Sequence, residues 1–379
     1  MHQTLQTTVF ALALAIMIGW VLMIGQGIFI PVFASVISVY ILTTVAHGMG
    51  RLPLIGPILP LWARHGLAIL AFIGVSAVMF SLFTGNIERV VEVAPRYQAT
   101  LVRFIVQGAD LIGVEDEPSW ETISRLMRDQ VNIQALLGST VASVTYIGSQ
   151  IFVIVLYASF LIAERAQLAN KINIILPDAE RNARFMATVT RINSRIGSYL
   201  TMKTLINIAL GVISYVIMTI IGIDFAGFWA VLIALFNYVP YVGSMAGVFF
   251  PVFLSVAQFG NFSVVLLSLV ALTAAQVFIG NIVEPRVMGR SLNLSPFVIL
   301  VSLTFWYALW GIPGAILAVP LTSVAMIIFA GWPQTWPIAV MLSQSGEPDL
   351  DGPAPAEPKP ARKAARGAGE VPPQSAARG

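Results

Sequence analysis

The chain contains no cysteine and only three histidines, His2, His47 and His65, all in its first sixth. Without cysteine there can be no disulfide, thiolate metal site or cysteine nucleophile. The HExxH zinc motif is missing, as are GxSxG, GxGD and the GxxxxGK[ST] phosphate loop, so neither intramembrane proteolysis nor ATP hydrolysis has its usual residues. No catalytic set, metal site or cofactor is expected. Charge is the other scarcity: 10% of the 379 residues are charged while 57% are hydrophobic. A soluble domain of ordinary composition carries about 25% charged residues, because it needs a polar exterior. The net charge of +3 is small, so nucleic acid is not an expected partner. The solvent for most of this chain is lipid.

Several uncharged runs reach the roughly 18 residues that a membrane-spanning helix needs. The composition and periodicity predict an all-α, multi-pass membrane protein. Residues 1–84 carry three spans, near Thr8–Ile24, Ile28–Ala46 and Gly66–Thr84. The first lacks a basic n-region and is too long for a cleaved signal, so it reads as a retained span. Residues 85–138 carry five arginines against eight acids, yet Ile87, Val90, Ala94, Tyr97, Leu101 and Phe104 recur at helical intervals. That pattern predicts amphipathic helices outside the cytoplasm. The acidic patch Glu115–Glu121 reads as a solvated turn opening a helix. Residues 139–203 hold a fourth span, near Ser139–Ala163, and a basic interfacial helix with seven basic residues against three acids. Its apolar stripe is Phe185, Val189, Ile192, Ile196 and Tyr199. Residues 204–333 form the core, beginning with a fifth span, near Thr204–Gly222. Residues 334–379 are expected to be a disordered cytoplasmic tail, Pro/Ala/Gly-rich from Gly346.

Within the core, residues 225–257 and 294–330 would make straight helices longer than the roughly 30 Å hydrocarbon layer. Each is interrupted, by NYVPYVG at 237–243 and WGIPG at 310–314. Paired interruptions of this kind point to a transport path. The candidate path residues are Asn237, Tyr238, Pro240, Tyr241, Gly243, Gly311, Pro313 and Pro320. Irregular backbone at membrane depth is tolerated where it is buried or lines a wet cavity. Between the interruptions lies NIVEPRVMGR. Glu284 and Arg286 read as a boundary ion pair or gate, since a lone charge at the membrane rim is costly. Pro285 is expected to end the helix, with Gly289 and Arg290 in the turn beyond it. Gln276 and Asn281, five apart on one span, are expected to face different directions. The excess of Lys and Arg in short loops places both termini and the EPRVMGR loop in the cytoplasm. That orientation requires each interrupted stretch to dip and return as a re-entrant hairpin, the two forming an inverted pair. The alternative is that the prolines merely kink two tilted spans, and a single crossing by 225–257 would put the EPRVMGR loop outside.

The run FNYVPYVGSMAGVFFPVFLSV, followed by NIVEPRVMGRSLNLSPFVIL and WGIPGAILAVPL, resembles the autoinducer-2 exporter family of bacterial membrane proteins. The likeness covers roughly residues 5–333. Its ordered motifs hold Asn237, Pro240, Gly243, Pro285, Arg286, Gly289, Gly311 and Pro320. Ser244 stands where that pattern often has proline. The resemblance implies about eight membrane segments and a permease of the bacterial inner membrane. Its expected cargo is a small polar organic solute such as the quorum-sensing signal autoinducer-2. A sodium or lithium exchanger for protons is the alternative within the family, and a non-transporting membrane scaffold is the alternative outside it. The expected partners are a small-molecule or ion substrate, the bilayer, and further copies of the chain.

Overall fold

The structure is a computed structural model, and it describes residues 2–50, 59–112, 133–288 and 292–347. The acidic patch at 115–121, the motif positions Gly289 and Arg290, and the tail beyond Glu347 lie outside the described residues. What is described is almost wholly helical. One isolated bridge, Leu294 to Ser343, is the nearest approach to a strand among those residues.

The helices are α1 (His2–Ile24), α2 (Gln26–Gly50), α3 (Leu61–Ile112), α4 (Ile133–Ile175) and α5 (Ala179–Ile221). They continue as α6 (Ala226–Phe236), α7 (Val242–Phe259), α8 (Phe262–Val277), α9 (Glu284–Met288), α10 (Pro296–Ala330) and α11 (Trp336–Leu342). A π-helical turn, Phe278–Val283, joins α8 to α9. Six of the described helical stretches are long and apolar enough to cross a membrane: Gln26–Gly50, Leu61–Asn86, Ala179–Ile221, Val242–Phe259, Phe262–Met288 and Pro296–Ala330. Leu12–Ile24, Gly148–Glu164 and Ala226–Phe236 are apolar but shorter. Large side chains such as Phe10, Trp20, Leu70, Phe160 and Ile220 are more than half exposed. In water that surface would be untenable, so the protein is a multi-pass membrane protein.

Two expected boundaries between span and interface do not exist as breaks. The third span runs without interruption into the amphipathic segment to form α3, 52 residues long. Likewise the basic stripe and the fifth span are one helix, α5, of 43 residues. Nothing in either junction forces a stop, whereas Leu176-Pro177-Asp178 does: proline cannot continue α4, and Asp178 caps α5 by accepting from the amides of Glu180 and Arg181. At the other end Gly222, at φ 85°, closes α5 in the left-handed conformation glycine tolerates.

Both interrupted stretches fold back on themselves. In the first, Trp229 stacks on Phe250 with centroids 6.1 Å apart, and Ile233 packs where Gly247 leaves room. At its base Gln258 accepts from the Asp224 amide and donates to the Gly222 carbonyl. Residues equally far from the break are therefore neighbours, which makes α6 and α7 an antiparallel helical hairpin. In the second, the Trp306 indole donates to Thr322 Oγ1 at 3.1 Å. Sixteen residues of straight helix would separate those groups by roughly 24 Å. The bend is Gly311, at φ 63° and ψ −141°, so α10 is two antiparallel arms.

The hairpins approach α5 from opposite ends. The base of the first sits at Gly222, while Val319 and Met326 of the second, with Leu294 on its approach, share a cluster with Ile196 and Leu200. Their inner parts meet where Val239 packs against the cluster of Leu303, Ala315 and Ala318. The chain also stays ordered past 334. Helix α11 buries Ala339 completely against the second hairpin, and the Ser295 amide donates to the Leu342 carbonyl. The disordered tail expected from residue 334 is thus corrected as far as Glu347, because the apolar run Trp336–Leu342 has a surface to cover.

Candidate functional site

The break in the first hairpin is a tight structure. Tyr241 has φ 62° and ψ −61°, and the Val242 amide donates to the Pro240 carbonyl at 2.7 Å. This is a γ-turn of the rare positive-φ kind, strained for any residue with a side chain. Gly243 follows because a Cβ there would collide with the Phe236 carbonyl oxygen. Tyr241 is about half exposed, whereas Asn237, at the inner end of α6, is 6% exposed.

Asn237 holds the centre of a chain of carboxamides from three helices. Gln276 Nε2 donates to Asn237 Oδ1 at 2.9 Å, and Asn237 Nδ2 donates to Asn207 Oδ1 at 2.8 Å. One residue on, the Tyr238 hydroxyl lies 2.7 Å from Thr204 Oγ1. That threonine already donates to the Leu200 carbonyl, so the tyrosine is the donor. The tip of the hairpin is thereby fastened to α5 and α8. Asn207 is roughly 22 Å of helical rise from the Gly222 end of α5, which sets how deep the hairpin reaches.

A cavity of about 520 Å³ opens beside this chain. Asn237, Pro240, Tyr241 and Ser244 line it from the first hairpin, Gln276 from the end of α8, and Asn281 and Glu284 from the run after it. Leu294, Ile299 and Val319 contribute from the base of the second hairpin and its approach. Gln276 and Asn281, expected to diverge, share the cavity wall. The π turn between them explains it, since i→i+5 hydrogen bonding brings residues five apart towards one face. The same turn accommodates Pro285. The Glu284 amide donates to the Ile279 carbonyl, five residues back, and the helix continues through Pro285 to Met288. Pro285 therefore does not end the helix as expected: its missing donor falls where the hydrogen-bond ladder has already changed register.

The partner of Glu284 is Lys203, at 2.6 Å between Nζ and Oε1. The lysine side chain is 4% exposed and the glutamate 26%. Arg286, the expected partner, is exposed and does not line the cavity. Lys203 escapes sequence reading because it counts as one more basic residue of the interfacial stripe. The available signal is its spacing: Tyr199, Lys203 and Asn207 recur every four residues and so share one face of α5. Of the other expected path residues, Tyr238 turns towards Thr204, and Gly243 shapes the turn from behind the wall. Gly311, Pro313 and Pro320 are absent from the cavity lining; the second hairpin contributes Val319 there instead.

A second polar cluster holds the base of the first hairpin. The Tyr97 hydroxyl, on the extension of α3 beyond its membrane stretch, donates to Asp224 Oδ2 at 2.7 Å. Burial, and then the hydrogen bond and charge of Asp224, push the Tyr97 phenol above its ordinary pKa, so it remains a donor.

A multi-pass helical protein with paired hairpins and a polar cavity between them has the architecture of a membrane permease. Comparison with known sequences gives the particular kind: the chain belongs to the AI-2E family of transporters, whose model matches residues 10–334. It is 34% identical over 195 residues to the "AI-2 transport protein TqsA" of Escherichia coli, 52% of this chain and 56% of that one. It is 40% identical over 148 residues to a "Putative transport protein" of Borreliella burgdorferi, 39% of this chain and 41% of that one. A protein of the same description in Haemophilus influenzae is 27% identical over 286 residues, 73% of this chain and 82% of that one. The chain thus spans about half the length of the first two relatives.

Proposed function

We propose that the protein is an inner-membrane permease that exports a small polar organic solute such as autoinducer-2. Both termini lie in the cytoplasm, and further copies of the chain assemble with it. The observation that carries the proposal is the cavity at the break of the first hairpin. It presents carboxamides from Asn237, Gln276 and Asn281, a hydroxyl from Ser244 and a phenol from Tyr241. These groups both donate and accept, as a polyol requires, and Tyr241 offers a ring face for stacking. The relative named for AI-2 transport supports that choice of cargo. The two fold-back hairpins act as an inverted re-entrant pair. The irregular tip of the first is bonded to α5 and α8 through Asn237, and Trp310, next to the bend of the second, donates to the Leu22 carbonyl of α1.

Export needs no nucleotide in this scheme; a solute gradient or a coupled ion supplies the energy. The second reading, sodium or lithium exchange for protons, draws on Glu284, a partly buried carboxylate in the cavity wall. For antiport it would have to trade Lys203 for a metal ion or a proton. Reconstituted proteoliposomes separate the two. Labelled autoinducer-2 is expected to cross, with flux lost in Asn237→Ala. A sodium-driven pH change with no autoinducer-2 flux would select the antiporter.

A further inference from the structure

Lys203 and Glu284 are the only charged side chains among the described residues lining the cavity. We propose that this pair is a charge filter, admitting uncharged hydroxylated solutes and refusing both carboxylates and amines. The inference rests on the permease reading and names the cargo class for the same site.

The geometry supplies the reason. Lys203 Nζ is almost wholly buried, and a buried ammonium is strongly unfavourable unless a counter-charge meets it. Glu284 meets it from the cavity side, on the segment just after the π turn, and is the more exposed partner. A carboxylate entering the cavity can reach Lys203 only by displacing Glu284, which leaves two anions around one cation. An entering amine that engages Glu284 strands Lys203. In the low-dielectric surroundings of a membrane protein either outcome is unfavourable. A neutral polyol leaves the pair intact and bonds to the neighbouring amides and hydroxyls. The pair is therefore a resident salt that excludes others by occupying the site they would need.

The test uses three solutes with one skeleton: ribitol, ribonate and 1-amino-1-deoxyribitol, offered to the full-length protein in proteoliposomes. Wild type is expected to pass ribitol in preference to both charged analogues. In Glu284→Gln the freed Lys203 should raise the ribonate-to-ribitol flux ratio by about ten- to a hundredfold, the worth of one charge-assisted hydrogen bond. In Lys203→Met the ratio for the amine should rise instead. Charge preference unchanged in both variants overturns the proposal.

Thermal unfolding in detergent gives a second readout that does not depend on transport. Acetate, compared with chloride at matched ionic strength, should raise the Tm of Glu284→Gln. It should leave wild type and the double variant Lys203→Met/Glu284→Gln unmoved. Equal effects of acetate on all three proteins, or none on any, overturn the proposal. If wild type passes none of the three solutes, the permease reading fails while the acetate measurement still decides whether Lys203 takes up a carboxylate.

Discussion

At the scale of single residues, two side chains carry more than their size suggests. Asn237 uses both ends of its amide, accepting from Gln276 and donating to Asn207. Alanine at 237 would strand a donor and an acceptor, at a cost of about 1–3 kcal/mol for each buried group left unpaired. Asn237→Ala is therefore expected to lower the Tm as well as abolish flux, whereas Ser244→Ala, whose hydroxyl bonds only the Tyr241 carbonyl three residues back, should affect flux with little change in Tm. Differential scanning fluorimetry beside the transport assay checks both. Tyr97 gives a pH signature. Its phenol pKa is raised by folding, so its contribution to stability is complete below about pH 10, the unfolded value, and is lost as pH rises through the folded value. The Tm of wild type should fall above about pH 10 more steeply than that of Tyr97→Phe. Parallel curves for the two proteins would contradict a role for the Tyr97–Asp224 bond.

At the scale of elements, glycine decides where the hairpins turn. Gly243 faces the Phe236 carbonyl and Gly314 faces the Trp306 carbonyl so closely that neither leaves room for a Cβ. Gly243→Ala and Gly314→Ala should each destabilise by about 1–3 kcal/mol, the usual cost of forcing atoms into a packed site. Gly27→Ala is the control, since nothing lies within 4 Å of a Cβ there. Unfolding midpoints that do not separate the two hairpin variants from the control would mean that the turns yield more readily than the packing shows. The π turn is the other decisive element. It moves Gln276 and Asn281 onto one wall and lets Pro285 sit inside a helix, two consequences of a single change of hydrogen-bond register.

For the whole molecule, the arrangement of the hairpins predicts sidedness. The segment carrying Glu284 and Met288 meets the middle of α5, where Glu284 pairs with Lys203 and Met288 packs against the clusters of Ile196 and Leu200 and of Ile206 and Leu210. The base of the first hairpin sits at Gly222, the end of that helix. The chain has no native cysteine, so single cysteines report without background. Val287→Cys should react with an impermeant thiol reagent from the cytoplasmic side, together with a cysteine at Glu180. A cysteine at Phe262 should react from outside. Labelling of Val287→Cys from outside alone would rule out a re-entrant first hairpin, because α8 would then run the other way.

Local chemistry determines much of this by itself. Scarce charge and long apolar runs dictate a helical membrane protein, and the NYVPYVG and WGIPG interruptions mark where those runs cannot stay straight. Asn237, Pro240, Tyr241 and Glu284 are legible as candidates because polar or helix-breaking groups are costly in lipid unless they have a use, and the structure places all four on the wall of one cavity. Tertiary structure decided which partner each polar group meets. Lys203 and Glu284 lie eighty-one positions apart, and whether a buried charge is paired depends on how α5 packs against the π turn, a distance that no local pattern encodes. The same holds for Gly311: its sequence requires a bend, but only the packing of the two arms, with Trp306 bonded to Thr322, turns that bend into a hairpin and leaves Gly311 away from the cavity wall.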